Sequence, residues 1–184
     1  MNSTATATLI PTGTWAVDPA HSTVGFSVKH LGIATVRGRF EEFEGTLELG
    51  DDLSAARAYG TAQVSSINTD EPARDEHLRS PDFLDVASYP TMDFRSTAVT
   101  GSGDHWRVEG ELTIRGTSRP VTLDVRYEGL ENDPWGGTRA AFSATTELER
   151  EAFGLTWNQV LESGGLLVGK KVRIDLEIEV VRAA

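Results

Sequence analysis

From about residue 14 onward, apolar and polar side chains alternate with a period of two, the pattern of β-strands that bury one face. Val24, Phe26, Val28 and His30 share a face, with Thr23, Gly25, Ser27 and Lys29 opposite. Near the C-terminus, Val172, Ile174, Leu176, Ile178 and Val180 alternate with Arg173, Asp175, Glu177 and Glu179. Between them, Trp106, Val108, Leu112 and Ile114 form a face interrupted by Gly110, and Val121, Leu123, Val125 and Tyr127 form the next. The inward set therefore mixes Phe26, Phe40, Phe94 and Phe142 with small residues such as Ala98, Gly110 and Ala144. Turn residues separate the runs at Gly101 to Asp104, at Arg115 to Thr117 and at Asn132 to Gly137. Strands at such regular spacing predict an all-β fold, an antiparallel sandwich or barrel.

One helix interrupts the pattern, over about residues 70-79. Asn68, Thr69 or Asp70 can cap it, Pro72 suits its first turn and Pro81 stops it. A weaker helical or irregular stretch is expected around Arg150 to Leu155. The Thr- and Ala-rich segment 1-13 reads as a flexible arm, leaving a single domain over 14-184.

Composition narrows the partners. The 184 residues suit one domain, and the absence of cysteine removes disulfides, thiolate metal sites and cysteine nucleophiles. Seventeen Lys+Arg against twenty-eight Asp+Glu give a net charge of −11, which repels phosphate backbones, so no nucleic acid is expected as a partner. The same charge argues against docking on anionic bilayers by electrostatics alone. No run approaches the ~18 apolar residues of a membrane-spanning helix, so no stable membrane insertion is expected. Met1 to Thr14 carry no basic residue and no apolar block; the expected compartment is the cytoplasm, or the periplasm if a leader was removed ahead of Met1.

Catalytic patterns are weak. Asp18, His21 and Ser22 contain the residue types of a hydrolase triad, but such near neighbours in an extended segment do not line up in one hydrogen-bonded chain, and no nucleophile elbow occurs. The segment reads instead as a turn before a long strand. His21, His30, His77 and His105 show no zinc-peptidase spacing. Arg74 with Asp75, and Arg150 with Glu151, read as surface ion pairs or caps. No catalytic residue, metal site or cofactor is therefore expected. His30, closing an apolar face, is either a core histidine or a polar group at a cavity mouth.

The ordered strings Trp15, Asp18-Pro19, His21-Ser22 and Val24-x-Phe26-x-Val28-x-His30 resemble the opening of the YceI-like family of lipid-binding, lipocalin-like proteins. The similarity continues through Gly38-x-Phe40 and Phe43-x-Gly45, Arg74-Asp75-x-His77-Leu78 with Asp82-Phe83, and Tyr89-Pro90 with Phe94. It then covers Gly110-x-Leu112-Thr113-Ile114-Arg115-Gly116 with Pro120-Val121, and Arg150-x-x-Phe153-Gly154. The chain departs from the family in having Lys170-Lys171 after Gly169, where an acidic residue is more usual at the first of these positions.

This resemblance implies an extended antiparallel barrel of about eight strands with one short helix, enclosing a tunnel for a long-chain isoprenoid or fatty-acyl ligand; it also implies a homodimer. Alternation and the family motifs together nominate Phe26, Val28, Phe40, Phe94, Val108, Leu112, Phe142, Leu155 and Trp157 as lining residues, with His30 near the head-group end. The expected function is non-catalytic binding, transport or storage of a polyisoprenoid, prenyl quinone or fatty-acid derivative. Two rivals stand beside it: an enzyme acting on a lipid-like substrate through His30, His21 or Arg74, and a stress-related interaction module whose barrel is filled by its own side chains.

Overall fold

The computed structural model describes residues 10–183, so most of the arm expected over 1-13 lies outside the described residues; of its end, Ile10 is buried. In chain order the strands are β1 (Gly13–Val17), β2 (Thr23–His30), β3 (Ala34–Phe40), β4 (Phe43–Leu49), β5 (Arg57–Gln63) and β6 (Ile67–Asn68). Helix α1 (Pro72–Arg79) follows, then β7 (Thr91–Ser102), β8 (His105–Ile114), β9 (Thr117–Asn132), β10 (Thr138–Glu149) and β11 (Val168–Arg182). Every pairing is antiparallel, and the ring β1-β4-β5-β7-β8-β9-β10-β11 closes when β1 pairs with β11. Closure removes the open edges of an eight-strand sheet.

The wall has two textures. β7 to β11 are long ribbons of ten to sixteen residues. The other wall is made of shorter pieces: β1 and β2 both lie along β11, at Arg182 to Val180 and at Glu177 to Val168, and are separated by a 3-10 turn at Pro19–His21. Pro19 has no N–H to give the ladder. The Ser22 hydroxyl repairs the gap, accepting from the Glu179 amide (3.0 Å) and donating to its carbonyl (3.3 Å). One strand over, the Ser66 hydroxyl accepts from the amides of Glu41 and Glu42 (3.1 and 3.0 Å) across the β3–β4 break.

The short β6 pairs with β3, and α1 covers its other side. Arg79 donates to the carbonyls of Ser65 (2.9 Å) and Ile67 (3.0 Å), and Arg74 to that of Thr69 (2.8 Å). Two arginines thus serve every second carbonyl of a bare strand edge, in place of a neighbouring strand. The cap of α1 is Glu71, whose carboxylate accepts from the Ala73 amide (3.0 Å), not Asn68, Thr69 or Asp70. Those three are committed elsewhere: Asn68 accepts from the Asp70 amide, Asp70 sits at φ 61°, and Thr69 is held through both its amide and its hydroxyl by Asp75. Asp75 is accordingly buried, not a surface ion-pair member.

Arg150 also departs from expectation. It opens a 3-10 turn (Arg150–Phe153) and is 4% exposed. Its guanidinium donates to the carbonyls of Leu155 (2.6 Å), Trp157 (3.0 Å), Gly169 (2.8 Å) and Val168 (3.3 Å). Burial pushes its pKa down, and Glu151 pairs with Lys170 instead (3.4 Å). A bulge in β7 between Ser96 and Ala98 shifts the register, so that Val99 pairs with Val108 while Ala98 pairs with Glu109. Because one extra residue reverses the facing of all that follow, Val99 rather than Ala98 points inward.

Candidate functional site

The barrel encloses a cavity of about 320 Å³ whose walls are almost wholly apolar. Each strand of the ring contributes its inward row, from Val17 on β1 to Ile174, Leu176, Ile178 and Val180 on β11. Ile174 to Val180 and Trp106 to Leu112 each span six residue steps, about 20 Å of strand and about 15 Å along an axis to which barrel strands tilt by roughly 35–45°. The cavity is therefore a tunnel elongated along the barrel axis.

Two aromatic rings on the inner face lie over glycines of the neighbouring strand. Phe26 pairs across the ladder with Gly38, and a Cβ at Gly38 would overlap the Phe26 ring. Phe94 pairs with Leu112 and leans over Gly110, two residues back on that strand, where a Cβ would overlap its ring. A strand glycine commonly marks such a close approach. The other cross-strand neighbour of Phe94 is Gly60, which pairs with Gly45. Gly60 is uncovered: a Cβ there would meet nothing closer than the Glu44 carbonyl oxygen at 3.4 Å. At this point the tunnel reaches the backbone, and Glu44, Thr46, Tyr59 and Thr61 border it although their places in the alternation face outward.

Polar groups on the inner wall are sparse. Thr146 contributes a hydroxyl from the inward row of β10, and Trp106 spends its indole N–H on the Gly103 carbonyl (3.0 Å). Burial pushes the Tyr127 hydroxyl pKa up, and its ring packs on Phe142 at 5.7 Å.

Both ends are filled. At the α1 end, Trp157 stacks edge-on to His77 (4.8 Å) and lies 5.2 Å from Phe83, among the buried Phe153, Leu84, Val64 and Ile67. His77 is oriented by Asp82 (Nε2 to Oδ2, 2.8 Å). At the other end, the fully buried Trp15 donates to the Pro11 carbonyl (3.2 Å) and packs with Ile10, Leu49 and Val180.

Of the residues nominated from sequence, Phe26, Phe40, Phe94, Val108, Leu112 and Phe142 border the cavity. Val28, His30, Leu155 and Trp157 are not among its lining. Val28 and His30 continue β2 toward the β2–β3 turn, while Leu155 and Trp157 belong to the plug. Sequence reasoning overlooked Gly60, Gly45 and Thr146; an isolated glycine inside a strand pattern was the available signal for the first two.

Outside the barrel, Arg139 gathers three carboxylates: Asp18 (2.8 Å), Asp133 (2.8 Å) and Glu179 (2.6 Å). His21 Nδ1 also meets Asp18 at 2.8 Å. Arg139, and then His21, hold the Asp18 carboxyl down at about 2. Ser22 is occupied with the Glu179 backbone, so no hydroxyl joins the His21–Asp18 pair and the triad types form no nucleophilic line. Asp18, His21 and Glu179 could converge on a cation, but the Arg139 guanidinium already binds both carboxylates.

A YceI-like domain family matches residues 15–180. A UPF0312 protein of Staphylococcus aureus is 37% identical over 165 residues, covering 88% of this chain and 94% of that protein. Among solved structures, a YCEI protein of Campylobacter jejuni superposes with TM-score 0.72 at 28% identity, covering 91% of this chain and 96% of that one. A polyisoprenoid binding domain from Saccharophagus degradans, implicated in plant cell wall breakdown, has TM-score 0.72 at 14% identity, covering 94% and 100%. With its family pattern spanning nearly the whole barrel, the chain belongs to the YceI-like domain family.

Proposed function

We propose that this protein is a non-catalytic binding protein that holds one long apolar chain, an isoprenoid or fatty-acyl lipid, inside the barrel. The observation that carries the reading is the apolar tunnel along the barrel axis, kept open by glycines against Phe26 and Phe94. Burial of apolar surface contributes about 25 cal/mol per Å², so a chain enclosed along the barrel binds without strong polar contacts. The fold shared with a polyisoprenoid binding domain supports the same reading. With C–C bonds of about 1.5 Å, the tunnel accommodates about three extended isoprene units. A longer chain must continue through one of the plugged ends, and Thr146 offers one hydrogen bond to an oxygen on the cargo.

Native mass spectrometry of gently purified protein, followed by organic extraction, tests this. A co-purifying lipid at one per barrel is expected. An empty barrel that also refuses added prenyl quinone and fatty acid would overturn the proposal, and turnover of an added lipid by the purified protein would establish the enzymatic rival.

A further inference from the structure

The charge of −11 is unevenly spread. Residues 27–39 carry Lys29, Arg37 and Arg39 and no acid, and residues 168–175 carry Lys170, Lys171 and Arg173 with Asp175 alone opposing them. These segments are neighbouring strands: Ser27 pairs with both Arg37 and Arg173, and Lys29 pairs with Thr35. All three lysines of the chain, Lys29, Lys170 and Lys171, are exposed on this face.

The basic face runs into an apolar tip. At the β2–β3 turn Ile33 is 82% exposed and Leu31 40% exposed, with Leu31 held at φ 56°. That conformation is uncommon and costly for a residue other than glycine, so the turn presents a leucine to solvent at some expense. The Leu31 amide donates to the Leu167 carbonyl (2.9 Å), and the Leu167 amide to the Gln159 carbonyl (2.9 Å). Val160, 71% exposed, bridges to Leu166 on the same small hairpin. Three exposed aliphatics therefore project from two hydrogen-bonded turns beside a cluster of cations.

We propose that this tip docks on an anionic lipid bilayer, with Leu31, Ile33 and Val160 entering the interface and Lys29, Lys170 and Lys171 meeting lipid phosphates. Apolar tips ringed by lysine are suited to that boundary, since the apolar groups gain burial while the cations reach the anionic headgroups. Charge complementarity favours a bilayer over a protein groove, because Lys29, Lys170 and Lys171 are exposed on neighbouring strands beside the tip, while Glu147 and Glu149 lie farther out on the adjoining β10, opposite Arg173 and Lys171. Lys170 and Lys171 reach Glu151 and Glu147 at 3.4 Å, and Arg39 reaches Glu41 and Asp70 at 3.2 and 3.4 Å, all through exposed side chains. Such pairs are weak and leave the cations available to phosphate. The strap over 155–168 places Trp157 in the aromatic plug and Val160 at the tip, so the segment that meets the bilayer also closes the barrel.

Flotation with phosphatidylcholine vesicles, with and without phosphatidylglycerol, tests the proposal. The protein is expected to float with phosphatidylglycerol vesicles at low salt and to be released at high salt. Each lysine changed to alanine should lower partitioning about fivefold, and the double variant Ile33→Asp, Val160→Asp should abolish it. Circular dichroism checks that the variants fold, and Ile33→Ser serves as a milder replacement. Failure to float, or flotation unchanged in both the lysine and the aspartate variants, would overturn the proposal, including the case of a tip that binds a protein instead. The assay requires no cargo, so its failure leaves the tunnel reading standing, and an empty tunnel leaves docking standing.

Discussion

The middle of the barrel and its α1 end are both built with aromatic rings, on strands in the one and on the helix and loops in the other, yet one is hollow and the other full. In the middle, Phe26 and Phe94 lie over Gly38 and Gly110, and Gly60 leaves bare backbone. At the end, Phe83, Trp157 and His77 stack on one another, and Arg150 ties the strap beneath them to four carbonyls. The difference is in the glycines: Phe26 and Phe94 lie over them, although Phe26 also meets Phe40 (5.8 Å) and Phe142 meets Tyr127 (5.7 Å), whereas Phe83, Trp157 and His77 meet one another.

The largest expected effect breaks the full end. Arg150→Met removes the donors to the Leu155, Trp157 and Gly169 carbonyls and one of the two to that of Val168, and should destabilise the fold by about 3 kcal/mol, since groups left unpaired in the interior keep their desolvation cost; urea melts should show a lower midpoint with unchanged slope. Next, Gly110→Ala should erase the contrast from the hollow side. Its methyl meets the Phe94 ring and the Arg95 carbonyl, so a loss of about 1–3 kcal/mol from overpacking is expected, together with reduced lipid retention.

Gly60→Leu sharpens the comparison with little cost to folding. Gly60 has no positive φ and open space before it, so thermal stability should hold within about 1 kcal/mol while the leucine occupies the lumen and cargo is excluded. Full retention with an unchanged melting temperature would show that the bare backbone at Gly60 is no part of the tunnel. The smallest effect concerns neither region and serves as a control. The Asp18 carboxyl is lowered to about 2 by Arg139 and His21, from an unfolded value near 3.9. Its contribution to stability is present above about pH 4 and lost as pH falls through the folded value near 2. Asp18→Asn should therefore narrow the stability difference between pH 5 and pH 2 without changing lipid retention.

The hollow region was the more legible of the two. Uninterrupted alternation over Val172 to Val180 predicts the inward row observed on β11, because each residue there pairs in regular antiparallel register. Alternation failed at Ala98 and Val99, where a bulge inserts a residue that no local pattern announces. The plug was hidden for a different reason. Arg150 and Asp75 read as surface charges because most of their partners are backbone groups, the Leu155, Trp157, Val168 and Gly169 carbonyls and the Thr69 amide beside its hydroxyl, and every residue offers such carbonyls and amides. Ser22 and Ser66 repair broken ladders by the same anonymous chemistry. Residue types announce a face; they do not announce which carbonyls a fold leaves unpaired.

The central claim, that a chain threads the hollow middle, is tested most directly by fluorescence quenching of Trp106, which borders the tunnel. In a protein whose Trp15, Trp135 and Trp157 are replaced by phenylalanine and which remains folded by circular dichroism, a fatty-acyl or isoprenoid chain brominated along its length should quench Trp106 saturably at one equivalent. The same titration of Phe142→Asp, which sets a carboxylate in the apolar wall, should show no saturable quenching. Unquenched Trp106 in the presence of bound chain, or identical curves for the two proteins, would contradict the account.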